Sequence, residues 1–214
     1  MEDDNLIPEE EPWYKGPMKY ILALGLIFIL VLWLFPVYSV KLDPNPNVFP
    51  KLGEVLPDEV NVTESHFNEI SLVMVNGNDE VIKEVADKVV VRSCKESSKV
   101  CHAKALFYFV RDNFDYVSDP TAYEYVKSAR QSLVSGGGDC DDSSVLLASL
   151  LDAVGVRSRF VFIPGHVYVQ AYLPDALNRY KEKGDYVNLD AACSSCEFGE
   201  ISWKSFDKEK RILG

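Results

Sequence analysis

Three consecutive glycines, Gly136 to Gly138, run straight into Asp139-Cys140-Asp141-Asp142 and then into apolar residues at helical spacing: Val145, Leu146, Leu147, Leu150, Leu151 and Val154. Gly155 follows as a helix stop. The middle of the chain is therefore held to a glycine-rich turn followed by a helix with one broad apolar face, which needs a cover. Cys140 falls at the first turn of that helix. The first amides of a helix have no intrahelical partner, and the helix dipole is positive there. Such a position favours the thiolate, which is the nucleophilic form of cysteine.

After Gly155 the hydrophobic period changes. Residues 159–163, 166–173 and 185–190 read as strands, with Pro164-Gly165 as a short turn between the first two. Upstream, the spacing predicts amphipathic helices over 79–92 and 99–114, a short helix opened by Asp119-Pro120-Thr121, and a segment Ser128–Val134 leading into the glycine turn. Helices followed by an antiparallel meander make an α+β domain with the Cys140 helix packed on the sheet. His166 starts one strand and Asp190 ends the next. If those strands are antiparallel neighbours, the two side chains can meet and hold the imidazole toward the cysteine helix. A nucleophile, a base and an orienting carboxylate, in that order, are the parts of a cysteine-based acyl-transfer site. Taken singly each has a plainer reading: Cys140 as a buried structural cysteine, His166 as an ordinary core or surface histidine, Asp190 as the cap of a strand-to-turn transition.

The N-terminal third is organised differently. Residues 1–19 form a short acidic tail, and Tyr20 to Val40 carry no charged side chain. Twenty-one helical residues rise roughly 32 Å, about the thickness of a bilayer's hydrocarbon core. Residues 20–40 are therefore expected as a single transmembrane helix, with Trp33, Tyr38 and Tyr20 at its borders. A cleaved signal peptide is the competing reading; the acidic leader and the length of the apolar stretch weigh against it. A Pro-rich stalk is expected over 41–60 and the catalytic-type domain over 61–214.

Lysines flank the apolar stretch almost evenly, so charge leaves its orientation open. Cysteine usage bears on it. Cys94, Cys101, Cys193 and Cys196 are an even set that allows three pairings into two disulfides, which requires an oxidising compartment. The same residues with His102 could instead hold a structural zinc, giving a cytoplasmic-facing domain. The disulfide reading, with an exported C-terminal domain on a single-pass cell-membrane anchor, is the expectation here, and the Asn61-Val62-Thr63 sequon agrees with it. The net charge of −11 argues against nucleic-acid binding.

The blocks Gly-Gly-Gly-Asp-Cys-Asp-Asp, Ser-Leu-Leu-Asp-Ala-Val-Gly-Val-Arg-Ser-Arg, Gly-His-Val-Tyr-Val and Val-Asn-Leu-Asp, in that order over about residues 100–192, resemble the transglutaminase-like superfamily core. The resemblance implies a papain-like fold with Cys140, His166 and Asp190 as a catalytic triad. It further implies a thiol enzyme acting on amide bonds of peptides or proteins, by hydrolysis or acyl transfer through a Cys140 thioester. Thiol chemistry requires no cofactor, and the sequence shows no calcium loop with carboxylate spacing, so no cofactor or metal is expected. The Cys140 backbone amide would be one oxyanion donor, and Tyr116 or Gln131 a second. Two departures stand out. Relatives often carry His-Ala-Trp where this chain has His166-Val167-Tyr168. The aspartates at 139, 141 and 142 oppose the helix dipole and would raise the thiol pKa. A catalytically silent binding module of the cell envelope is the rival reading.

Overall fold

The computed structural model describes residues 12, 16–39, 43–63, 67–119, 125–202 and 208–214, with side chains of 35–39 set aside. It divides into two units, 1–42 and 43–214.

The first unit contains α1, Met18–Ser39, a 22-residue helix in which apolar side chains on every side are exposed, among them Ile21, Leu22, Leu24, Leu26, Ile27 and Phe28. Among the described residues no helix is long and apolar enough to cross a membrane. The fully described part of α1, from Met18 to Leu34, rises roughly 26 Å against the roughly 30 Å of a hydrocarbon core.

The second unit is an α+β domain. The antiparallel sheet has the order β5-β4-β3-β6, from β3 (Ser158–Ile163), β4 (His166–Tyr172), β5 (Tyr186–Leu189) and β6 (Arg211–Leu213). The β3–β4 hairpin turns at Pro164-Gly165, where Gly165 has φ +76, and pairs Ile163 with His166. Alternation along β4 and β5 then places Val167, Val169, Ala171, Val187 and Leu189 in the main core. Tyr168 joins Val161, Ile163 and Ile201 in a smaller cluster.

Against the core face lies α6, Cys140–Ala153, whose Val145, Leu146, Leu147, Leu150 and Leu151 are fully buried. Its broad apolar surface is covered by β4 and by three further helices, α3 (Glu80–Ser93), α4 (Lys99–Asn113) and α5 (Ala129–Ser135). These begin where side chains satisfy the first orphan amides. Asp79 accepts from Val81 and Ile82 for α3, Ser98 accepts from Cys101 for α4, and Ser128 with Gln131 forms a capping box for α5. The helix expected from Asp119-Pro120-Thr121 falls mostly outside the described residues. A further strand, β6, was not foreseen; its three residues are too short to show a period.

The four cysteines form the disulfides Cys94–Cys101, from the end of α3 to the first turn of α4, and Cys193–Cys196. This settles the open pairing and removes the zinc alternative, since the bonded sulfurs are no longer thiolate ligands. His102 is a half-buried residue of α4.

The segment expected as a stalk over 41–60 is instead part of the domain from Asp43 onward. Lys104, only 2% exposed, places its ammonium 2.5 Å from Asp43 and 2.6 Å from Asn45. The Asn47 amide donates to Ser93 O, and α2, Leu52–Val55, buries Val55 completely. A proline-rich composition shows no periodicity, so nothing local announces that a lysine some sixty residues later fastens it down.

Candidate active site

The glycine run is explained residue by residue. Gly136 ends α5 in the left-handed region at φ +66. The next two residues form β2 (Gly137–Gly138), parallel to β1 (Asp115–Tyr116) in the register Tyr116↔Gly138. A Cβ on Gly138 would lie 2.5 Å from the Cβ of Asp142, so only glycine lets the chain pass this close to α6. Asp142 is 1% exposed. It accepts from the Lys127 amide at 2.7 Å and pairs with the Lys127 ammonium at 2.5 Å. This aspartate, a charge against the thiol on the sequence reading, is therefore paired with its lysine. It ties the segment before α5 to the start of α6.

Cys140 opens α6, and Asp139 caps it, accepting from the amides of Asp141 at 3.0 Å and Asp142 at 3.2 Å. The Cys140 sulfur lies 3.4 Å from Asp141 Oδ1. Burial first, then the carboxylates of Asp141 and Asp139, push the thiol up to about 12, against an opposing hydrogen bond from the backbone of Val167. That contact sets the sulfur beside the residue next to His166. The Ser144 hydroxyl, one turn along α6, adds a hydrogen bond to Val167 O at 3.3 Å. Helix start and strand start are thus joined through the β4 backbone.

His166 and Asp190 meet as the strand geometry predicts. His166 Nε2 lies 3.0 Å from each carboxylate oxygen of Asp190. Asp190 is fully buried, and its Oδ2 also accepts from the Ser202 amide at 3.2 Å. Ser202 was invisible to sequence reasoning: a backbone donor carries no side-chain signature.

Tyr116, 58% exposed, follows from its register beside Gly138, two residues before Cys140. Burial first, then the charge on Cys140, raises its hydroxyl pKa. It lines two cavities. One, of about 570 Å³, also takes in Arg111, Asn113, Ser143 and Ala192. The other, of about 450 Å³, takes in His166, Gly165, Cys193 and Ser194. Gln131, the other residue considered as a donor, is 7% exposed and spends its Oε1 on the amide and hydroxyl of Ser128.

The sulfur, imidazole and buried carboxylate sit at the junction of α6, β4 and β5, in an α+β domain with two cavities meeting at Tyr116. The chain belongs to the transglutaminase-like superfamily, whose profile matches residues 84–191, half of the chain. Among solved structures it is similar to LapG of Legionella pneumophila at 20% identity, covering 60% of this chain and 71% of that one with a TM-score of 0.41. The EGTA-treated form of LapG aligns at 22% identity over 50% of this chain and 59% of that one, TM-score 0.38. A candidate cysteine protease from Cytophaga hutchinsonii aligns at 19% over 62% and 50%, TM-score 0.34. The chain thus spans between half and about seven-tenths of these proteins. No curated protein sequence matches it.

Proposed function

We propose that this protein is a membrane-anchored thiol enzyme that hydrolyses or transfers at amide bonds of a peptide or protein, with Cys140 as nucleophile, His166 as base and Asp190 as its orienting carboxylate. The observation that carries the reading is the His166–Asp190 pair at 3.0 Å, next to the backbone that touches the Cys140 sulfur. Asp190 holds Nε2, so Nδ1 is the nitrogen that takes the thiol proton and later returns it to the leaving amine. Cys140 attacks the carbonyl carbon, the amine departs, and water or a second amine resolves the thioester. The Cys140 amide at the start of α6 and the Tyr116 hydroxyl are the proposed oxyanion donors.

Anchoring is supported by α1, whose apolar side chains from Tyr20 to Trp33 are exposed on every side, and by the uncharged run from Tyr20 to Val40. The two disulfides support a domain outside the cytoplasm. Protease added to intact cells should digest the C-terminal domain while sparing the leader; protection of the domain would reverse the orientation.

A silent binding module is the second reading, favoured by one observation, a partly buried thiol 3.4 Å from the Asp141 carboxylate, which with burial pushes it up to about 12. Pairing with His166 is what must overcome it. The deciding measurement is the pH dependence of Cys140 alkylation in wild type and His166→Ala. Fast alkylation well below pH 8 that disappears with the histidine supports the enzyme. A slow thiol indifferent to His166 leaves the binding module.

A further inference from the structure

The chain makes a closed excursion between Asp190 and Ser202, and the Cys193–Cys196 disulfide shuts its first turn. Both ends of the excursion rest on Asp190. The Cys193 amide donates to Asp190 O at 3.2 Å, and the Ser202 amide donates to the carboxylate itself. Between them the path is pinned by Arg111 Nη1 on Cys196 O at 2.8 Å and by the Gly199 amide on Asn188 O at 3.1 Å. Phe198, 3% exposed, is wedged against Phe107 and Tyr180. On its other side the loop offers Cys193 and Ser194 to the cavity that contains His166. Cys193 is half-buried there and Cys196 is buried.

Closing so short a loop constrains the unfolded chain less than any longer cross-link would. The bond therefore acts locally, on the turn by which the chain leaves Asp190 and whose Cys193 amide donates to Asp190 O.

We propose that Cys193–Cys196 is a thiol–disulfide exchange site, open to a dithiol through the cavity beside His166, and that the intact bond positions Asp190 on the imidazole. The inference rests on the thiol-enzyme reading of Cys140. A thiolate of the dithiol attacks Cys193 Sγ; the S–S bond breaks, and Cys196 leaves as a thiolate that takes a proton. The donor's second thiol then displaces Cys193 from the mixed disulfide. The protein gains two electrons and two protons, and the dithiol leaves as its own disulfide. Once the turn is free, the Cys193 amide no longer holds the Asp190 backbone, the carboxylate shifts from the imidazole, His166 loses its fixed orientation, and Cys140 loses its proton acceptor. Cys193 and Cys196 are positioning residues in this account.

The test uses the full chain in detergent, in a Cys94→Ser/Cys101→Ser background so that only one disulfide responds. Iodoacetamide alkylation of Cys140 is followed by peptide mass mapping from pH 5 to 10. It is measured on oxidised protein, after dithiothreitol and desalting, and after reoxidation. We expect reduction to lower the rate at pH 7 at least tenfold and to move the profile to alkaline pH, with reoxidation restoring both. Adding Cys193→Ser/Cys196→Ser should reproduce the reduced profile and abolish the response to dithiothreitol. An unchanged Cys140 profile in protein whose Cys193 and Cys196 are demonstrably reduced overturns the inference while leaving the enzyme reading intact. A Cys140 that is slow and histidine-independent even when oxidised overturns the enzyme reading, and this inference with it.

Discussion

His166 shares one ring nitrogen, Nε2, between both carboxylate oxygens of Asp190, each 3.0 Å away, at the join between the start of β4 and the end of β5. In the proposed mechanism the pairing makes Nδ1 the nitrogen that takes the thiol proton. Asp190→Asn keeps the shape but lets the imidazole adopt the wrong tautomer. Amide or ester turnover should fall about 10²- to 10⁴-fold, with the melting temperature little changed. Steady-state rates together with a thermal melt check this, and full activity in the variant would dismiss the orienting role.

The charge at Asp141 works against thiolate formation at Cys140. Its carboxylate lies 3.4 Å from the Cys140 sulfur and stands first among the charges that raise the thiol, behind burial. Asp141→Asn should speed alkylation of Cys140 at pH 7 by about threefold to tenfold. Kinetics with iodoacetamide would show it; an unchanged or slower rate would mean that the sulfur does not feel this group.

Asp139 makes stability depend on pH. Burial, then the charges of Asp142, Asp141 and Asp119, push its carboxyl up to about 6 despite a hydrogen bond from the Asp142 backbone that lowers it. Because this lies above the ordinary 3.8, the folded chain holds a proton that the unfolded chain has already released in the interval. The contribution is full below the unfolded value and is lost as pH rises through the folded one. Asp139→Asn keeps an oxygen to cap α6 and removes the charge, so its melting temperature should vary less between pH 4 and pH 6.5 than that of wild type. Calorimetric melts across that range decide; parallel curves would count against it.

Tyr116 is tested by comparing two reactions of one sulfur. Acylation of Cys140 by 4-nitrophenyl acetate passes through an oxyanion, and alkylation by iodoacetamide does not. Tyr116→Phe should slow acylation about tenfold or more and leave alkylation within twofold. Equal losses in both would make the tyrosine a thiol-tuning group instead.

Lys104 is a stability residue. Its ammonium lies 4.9 Å from the Tyr180 ring centre and 5.3 Å from that of Phe198, and it meets Asp43 inside the domain. Lys104→Met leaves Asp43, 16% exposed, with Arg179 and Tyr180 as its side-chain partners among the described residues. The cost should be about 3 kcal/mol, and Lys104→Met/Asp43→Asn should recover part of it. Urea unfolding measures both; a single variant as stable as wild type would remove the buried pair from the account.

Reading and structure agree where information is local. The 3.6-residue period gave α3, α4 and α6, the two-residue period gave β3 to β5, and the neighbouring ends of β4 and β5 bring His166 and Asp190 together. Reading failed where a long-range partner decides. Asp43 is held in the domain by Lys104, β6 pairs with the edge that β3 offers, and Asp142 is buried with Lys127 as its partner.

What the sequence by itself determined is the α+β order of elements, the cysteine at a helix start and the strand ends that carry histidine and aspartate. Each follows from backbone geometry acting over a few residues. The tertiary structure alone decided that Cys94 pairs with Cys101 and Cys193 with Cys196, that Ser202 braces Asp190, and that Tyr116 stands where two cavities meet. Those relationships depend on which distant segments share a surface, and a linear pattern of residue types does not encode that until the core has assembled.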